Sequence, residues 1–134
     1  MTTATQPAPS GNPKWMTMTG WVLTALPSAM MLMGGVMGLA KPEMASEGLI
    51  KFGYPKSLMA ALCVVELACV LIYLFPHTAV LGAVLLTGYL GGAVATHARV
   101  EDPMWIVPLI VGAVVWLGLF LREPRLRALL PWVR

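Results

Sequence analysis

Four polar side chains stand out in a chain that is otherwise mostly apolar: Glu66, Thr87, Tyr89 and His97. Glu66 sits in the middle of the apolar stretch 57–75. A carboxyl at that position inside a membrane is costly, so it needs a partner. The turn Pro76-His77-Thr78 follows, and a second apolar stretch runs on to Ala98. Glu66 lies eleven residues before His77, and Gly88 lies eleven after it. At about 1.5 Å per helical residue, Thr87 and Tyr89 therefore share the depth of Glu66. Ser28, near the middle of an earlier apolar stretch, falls at a similar level. Glu66 is expected to face other helices and to hydrogen-bond Thr87, Tyr89 or Ser28. No Lys or Arg lies within the apolar stretches. The neutral carboxyl is therefore expected, its proton given to one of those groups or to a bound carbonyl. Two roles fit: a polar clasp between helices, which is the usual use of such groups, or a proton relay or ligand to a quinone carbonyl.

His97 belongs to a different level. It lies nine residues beyond Gly88, roughly 13 Å along a helix axis. A direct acid–base pair with Glu66 is not expected. Near Asp102 or Glu43, His97 would be a switchable cation; as a simple interfacial hydrogen-bonding group it needs no such role. Cys63 and Cys69 flank Glu66 on the same stretch. They are about 9 Å apart along a regular helix, too far for a disulfide, and they point about 120° apart. Small buried hydrophobes is their plainer reading. Met30, Met33 and Met37 share a helix face and read as packing residues before they read as a soft-metal path. No metal site is expected, and no nucleophile elbow, Cys-x-x-Cys or phosphate-binding loop is present.

The elements that must carry these groups are set by composition. Of 134 residues, 58% are hydrophobic and 11% charged. A soluble domain carries about 25% charged residues. The apolar residues form four long blocks and do not alternate with polar ones. The expected fold is an all-α, integral membrane four-helix bundle with spans at about 19–40, 57–75, 78–98 and 104–121. Pro27-Ser28 offers a kink in the first span. The pairs Gly34/Gly38 and Ala25/Ala29 offer close helix contacts. Residues 1–14 read as a disordered tail without the form of a secretory leader. Residues 15–121 form the membrane domain, and the connection 41–55 is expected to lie along the bilayer surface. Pro108 falls in the second turn of the last span.

Residues 122–134 form a basic amphipathic tail. Its Arg122, Arg125, Arg127 and Arg134 suit anionic lipid head groups, each worth on the order of 1 kcal/mol. The net charge of +3 lies outside the blocks and suits lipid better than nucleic acid. Lys14 and the four tail arginines lie on one side of the membrane, against Lys41, Lys51, Lys56 and Arg99 on the other. This bias puts both termini in the cytoplasm, at a bacterial inner membrane.

Phe52-Gly-Tyr-Pro55 precedes the second span, Glu66 lies in its middle, and Pro76 ends it. Gly91-Gly-Ala-Val-Ala-Thr-His-Ala-Arg99 closes the third span, and Glu101-Asp102 follows. In this order the chain resembles the DoxX-like membrane proteins. The resemblance runs roughly from Gly20 to Leu121 and does not include the long basic tail. It implies a four-helix membrane bundle linked to quinone reduction, redox defence or protein maturation, with Glu66 and His97 at positions that are often polar. The expected function is an accessory or quinone-linked subunit of a membrane redox complex, not an enzyme on its own. Its counterparts would be the lipid bilayer, a quinone and a partner oxidoreductase, with homo-oligomerisation also open. The alternatives are a structural or assembly factor and a small proton-coupled transporter. The absence of an inverted repeat weighs against the transporter.

Overall fold

The computed structural model describes residues 11–129. Most of the expected N-terminal tail lies outside that range, as do Leu130, Trp132 and Arg134. All regular structure among the described residues is helical. Helix α1 is Lys14–Ala40, α2 is Pro42–Lys51, α3 is Leu58–Leu74 and α4 is Ala79–Arg99. A 3-10 turn, Pro103–Trp105, leads into α5, Ile106–Arg122, and α6, Pro124–Leu129. The two longest helices and the unit 103–122 are long and apolar enough to cross a membrane; α3 is apolar but shorter.

Helix α1 begins five residues before the expected start near Thr19. Lys14, Trp15 and Thr17 tolerate the interface, so the helix need not stop where the hydrocarbon does. Its 27 residues span about 40 Å, longer than the roughly 30 Å hydrocarbon core. It runs unbroken through the buried Pro27. Pro108 also differs from expectation. The 3-10 turn delays the start of α5 to Ile106, so Pro108 is its third residue. There its missing N–H has no intrahelical partner to lose. The connection after α1 is helical in α2, which starts on Pro42 and leaves Met44 and Ile50 exposed.

Helices α1, α3, α4 and α5 pack in a ring, in which α1 and α4 each touch both α3 and α5. Glycines permit the closest approaches, though not the expected pairs. Ala25, Ala29 and Gly34 are exposed. The contact surfaces instead use Gly20, Gly35, Gly38, Gly82 and Gly118. A Cβ on Gly20 would lie 2.8 Å from the Arg122 nitrogen and 2.9 Å from the Gly118 carbonyl oxygen. One on Gly118 would lie 3.1 Å from the backbone at Leu23 and Thr24. Gly38 makes room for the Cys63 sulfur, and Gly82 for the backbone of Tyr73. In a bilayer this proximity is the main source of helix attraction, because lipid tails are as apolar as the side chains. Met30, Met33 and Met37 are 48%, 67% and 47% exposed and face outward.

One polar spine crosses the ring. Tyr73 of α3 is fully buried, and its hydroxyl donates to the Val115 carbonyl of α5 at 2.8 Å. Thr24 of α1 lies 3.3 Å from that hydroxyl and donates to its own Gly20 carbonyl at 2.8 Å. The Tyr73 carbonyl is in the last turn of α3, where no intrahelical N–H can reach it. Arg122 donates to it at 2.9 Å. The guanidinium also lies 4.4 Å from the Trp21 ring centroid and 5.0 Å from that of Tyr73. Arg122 is thus held within the protein and is not the free tail cation expected for lipid. Residues Phe75 to Thr78 close α3 onto α4, with the Thr78 hydroxyl donating to the Ile72 carbonyl at 2.8 Å.

These contacts set the stability of three variants. Gly118→Val should cost about 1–3 kcal/mol by forcing α1 from α5. Gly92→Ala, at a position open beyond 4 Å, should be neutral or stabilise by up to about 1 kcal/mol. Arg122→Gln should cost about 2 kcal/mol, because it removes a charge-assisted bond and its aromatic contacts. Reversible unfolding in bicelles measures all three, and equal stability of the Gly118 and Gly92 variants would contradict the packing account.

Candidate functional site

Cys63, Glu66, Val70 and Tyr73 recur at helical spacing and form the inward stripe of α3. Glu66 is partly buried there and accepts from the Tyr89 hydroxyl of α4, Oη to Oε2, at 3.2 Å. Of the three expected partners, the structure pairs only Tyr89 with it. Thr87 shares the depth of Glu66 but points elsewhere. Two residues of helix turn a side chain by about 200°, so Thr87 and Tyr89 occupy opposite faces of α4. The Thr87 hydroxyl donates to the Ala83 carbonyl at 2.8 Å and accepts from the Trp116 indole N–H at 2.8 Å, across to α5. Ser28 is buried, but among the described residues its hydroxyl has no hydrogen-bond partner. Gly34 stands opposite the other carboxyl oxygen: a Cβ built on it would lie 3.9 Å from Oε1. Cys63 and Cys69 are buried free thiols. Among the described residues, no three of His, Cys, Asp and Glu converge on one point.

His97 lies at the far end of α4, and its Nδ1 is 3.0 Å from Asp102 Oδ2. The backbone brings Asp102 back to it. Glu101 takes a φ of +56°, and the Asp102 N–H donates to the His97 carbonyl at 3.1 Å. Such a left-handed residue is a helix stop more often supplied by glycine. Asp102 Oδ1 also accepts from the Met104 N–H at 3.0 Å and so caps the 3-10 turn. Those contacts, the Met104 N–H first and His97 second, hold the Asp102 carboxyl below its ordinary value of 3.8. The ionised carboxylate can only accept, so Nδ1 of His97 carries a proton, and in the neutral imidazole Nε2 is the acceptor.

The turn after α2 packs onto this end. Gly53, with φ +79°, redirects the chain. The Phe52 ring meets the His97 ring edge-on at 4.6 Å between centroids. The Tyr54 hydroxyl is 3.1 Å from that of Thr96. Arg99 donates to the Phe52 carbonyl and lies over the Tyr54 ring at 5.7 Å. Sequence reasoning placed the long connection near His97 but missed Tyr54 and Thr96. The available signal was that Thr96 adjoins His97 and Tyr54 adjoins the turn glycine.

The two levels share one groove. A cavity of about 380 Å³ runs between α3 and α4 under the Phe52–Tyr54 turn, with Leu58 and Leu62 on one wall. On α4 it extends from Gly88 and Tyr89 through Gly92 to Thr96 and His97. Nine residues of helix make it about 13 Å long. Gly88 and Gly92 have nothing within 4 Å of a built Cβ, so their missing side chains keep the groove open. Glu66 and His97 are therefore not a pair: His97 lines the outer end of the groove, and Glu66 is linked to its inner end through Tyr89.

The family model that matches this chain, over residues 22–118, is that of the DoxX-like family. The chain belongs to the DoxX-like family. The match covers all of the groove and both polar ends of it. It leaves out α6 and the residues before Val22. No curated protein and no solved structure matches the chain. This DoxX-like chain is a membrane protein, as its family and its apolar helices agree.

The Asp102 contacts make a pH prediction. A carboxyl held below its ordinary value contributes stability that is present above that value. The contribution fades as pH falls through the lower, folded-state value. The turn 100–105 should therefore stay docked on α4 from pH 7 to pH 5 and loosen only below about pH 4. The Met104 amide resonance, followed by NMR in nanodiscs, reads this directly. Loosening that sets in above pH 5, and that Asp102→Asn leaves unchanged, would assign the effect to another group.

Proposed function

We propose that this DoxX-like chain is a four-span accessory subunit that holds a lipid-soluble quinone for a partner oxidoreductase, with both termini on the cytoplasmic side. The observation that carries the reading is the groove whose inner end is lined by Tyr89, the residue that bonds Glu66. Its volume lies within the range of small-molecule sites, roughly 300–1,000 Å³. Its walls are apolar, and the glycines at 88 and 92 leave a flat wall on α4 where a Cβ would project. A planar ring fits such a wall. A neutral Glu66 would turn its own proton to the Tyr89 oxygen, which frees the Tyr89 O–H to donate to a carbonyl at the inner end. A quinone supplies two-electron redox chemistry when bound. The chain supplies orientation, exclusion of water and a place for a proton at Glu66. Electrons would have to come from a partner. The topology rests on the sequence, in which Lys14, Arg122, Arg125, Arg127 and Arg134 fall on one side against Lys41, Lys51, Lys56 and Arg99 on the other.

A second reading is that the Tyr89–Glu66 bond is only an α3–α4 clasp in a structural or assembly factor. Glu66→Gln separates the two, because Gln keeps the shape and accepts the Tyr89 bond but cannot titrate. The relay reading expects normal expression, retained quinone and loss of partner-coupled turnover by more than tenfold. The clasp reading expects expression and turnover both unchanged. Native purification in lipid, with mass spectrometry of bound proteins and small molecules, identifies the counterpart. Recovery of the chain with neither quinone nor oxidoreductase would sink the redox proposal.

A further inference from the structure

The groove has an inner end, used above, and an outer end with its own hydrogen-bonding character. At the outer end the Nδ1 proton of His97 is engaged by Asp102. Among the described residues, nothing hydrogen-bonds Nε2. His97 lines the groove, and as a neutral imidazole its ring offers Nε2 as an acceptor. Beside it are the hydroxyls of Tyr54 and Thr96, 3.1 Å apart. One of the two donates to the other, and the receiving hydroxyl keeps its own proton free to give. The mouth thus presents one acceptor and one donor over an apolar wall formed by Leu49, Leu58 and Leu62.

We infer that the mouth of the groove is a binding site for the hydroxyl of a lipid-soluble phenol. The phenol O–H donates to His97 Nε2, and its oxygen accepts from the Tyr54–Thr96 pair. The aromatic body lies against Phe52, and an alkyl tail runs along Leu58 and Gly92. A carbonyl does not satisfy this mouth, because it has no proton to give and would cover Nε2 without pairing it. A carboxylate lacks the proton as well and would face Asp102. An ammonium could give a proton but would lose its hydration against the leucines. The inference uses the groove of the proposed function and assigns its outer end to the hydroxyl form of a ligand. It does not depend on any redox partner.

The test uses the full chain in lipid nanodiscs with a histidine-free tag. The sequence has two histidines, so His77→Gln leaves His97 as the sole imidazole, labelled with nitrogen-15. The probes are 4-decylphenol and 4-decylanisole, which differ by a methyl group on the oxygen, compared at equal mole fraction in the bilayer. The expected result is a bare Nε2 and a protonated Nδ1 without ligand. 4-Decylphenol should shift the Nε2 signal, and 4-decylanisole should not. The phenol should bind about tenfold tighter, the scale of one well-placed hydrogen bond to an otherwise unpaired group. His97→Phe should remove that preference, and Gly92→Leu, which fills the groove, should abolish binding of both probes. A proton on Nε2, or equal affinity for the two probes, would overturn the phenol site but leave the groove reading standing. No binding of either probe to the native chain would overturn both. A phenol shift that survives Gly92→Leu would place the contact outside the groove and overturn the inference.

Discussion

The hydroxyl of Tyr73 meets α5 and α1 at once, and the rest of the ring depends on that meeting. A buried phenol needs a hydrogen-bond partner, and in hydrocarbon there is no water to provide one. The Val115 carbonyl provides it at 2.8 Å, which is feasible only if α5 comes close. Gly20 and Gly118 allow that approach by having no Cβ at the point of contact. The same tyrosine offers its backbone carbonyl to Arg122, whose guanidinium is held between two aromatic rings. Side chain and main chain of one residue thus fasten three helices at one end of the molecule.

Fastening α3 to α1 and α5 at that end frees its contact with α4 for another purpose. At the turn the two helices are tight, with Gly82 against the backbone of Tyr73. Further on, Gly88 and Gly92 of α4 meet nothing, and the helices leave a groove between them. Glycine has opposite effects in the two places. At Gly82 its missing side chain lets a neighbour in; at Gly88 and Gly92 the vacancy is left unfilled. Glu66 and Tyr89 bond across the boundary between the tight and open regions. A partly buried carboxyl with a single partner among the described residues retains capacity for another, and that partner, Tyr89, lines the groove.

The helical class was legible because four long apolar blocks in a chain of low charge have few other solutions. Depth was legible too: counting from His77 put Tyr89 level with Glu66, and the structure bonds them. Azimuth was harder. Thr87 satisfied the same count but faces Trp116, since depth alone does not say which way a helix is rotated. The glycine pairs failed for a related reason. Gly34/Gly38 and Ala25/Ala29 have the right spacing, but the buried glycines of α1 are Gly20, Gly35 and Gly38. Which face is inward depends on partners elsewhere in the chain, here Leu67, Cys63 and Gly118. Arg122 looked like a tail cation because it follows the last apolar residue; its inward turn requires an unfilled carbonyl on α3 that no local pattern reveals.

The unequal lengths of α3 and α4 explain why the outer end of the groove is polar. Both start from the same turn, α3 with 17 residues and α4 with 21. Four residues of α4 therefore overshoot the start of α3, by about 6 Å. Those four are Thr96, His97, Ala98 and Arg99. With no α3 beside them, their side chains must find partners on something else. The turn that follows α2 provides the partners: Tyr54 for Thr96, the Phe52 ring for His97 and the Phe52 carbonyl for Arg99. A longer α3 would have covered this end with apolar side chains and left His97 no route to the groove. The shortness of α3, bounded by Pro55 and Pro76, is thus what leaves room for a polar mouth, and the connection from α2 completes it.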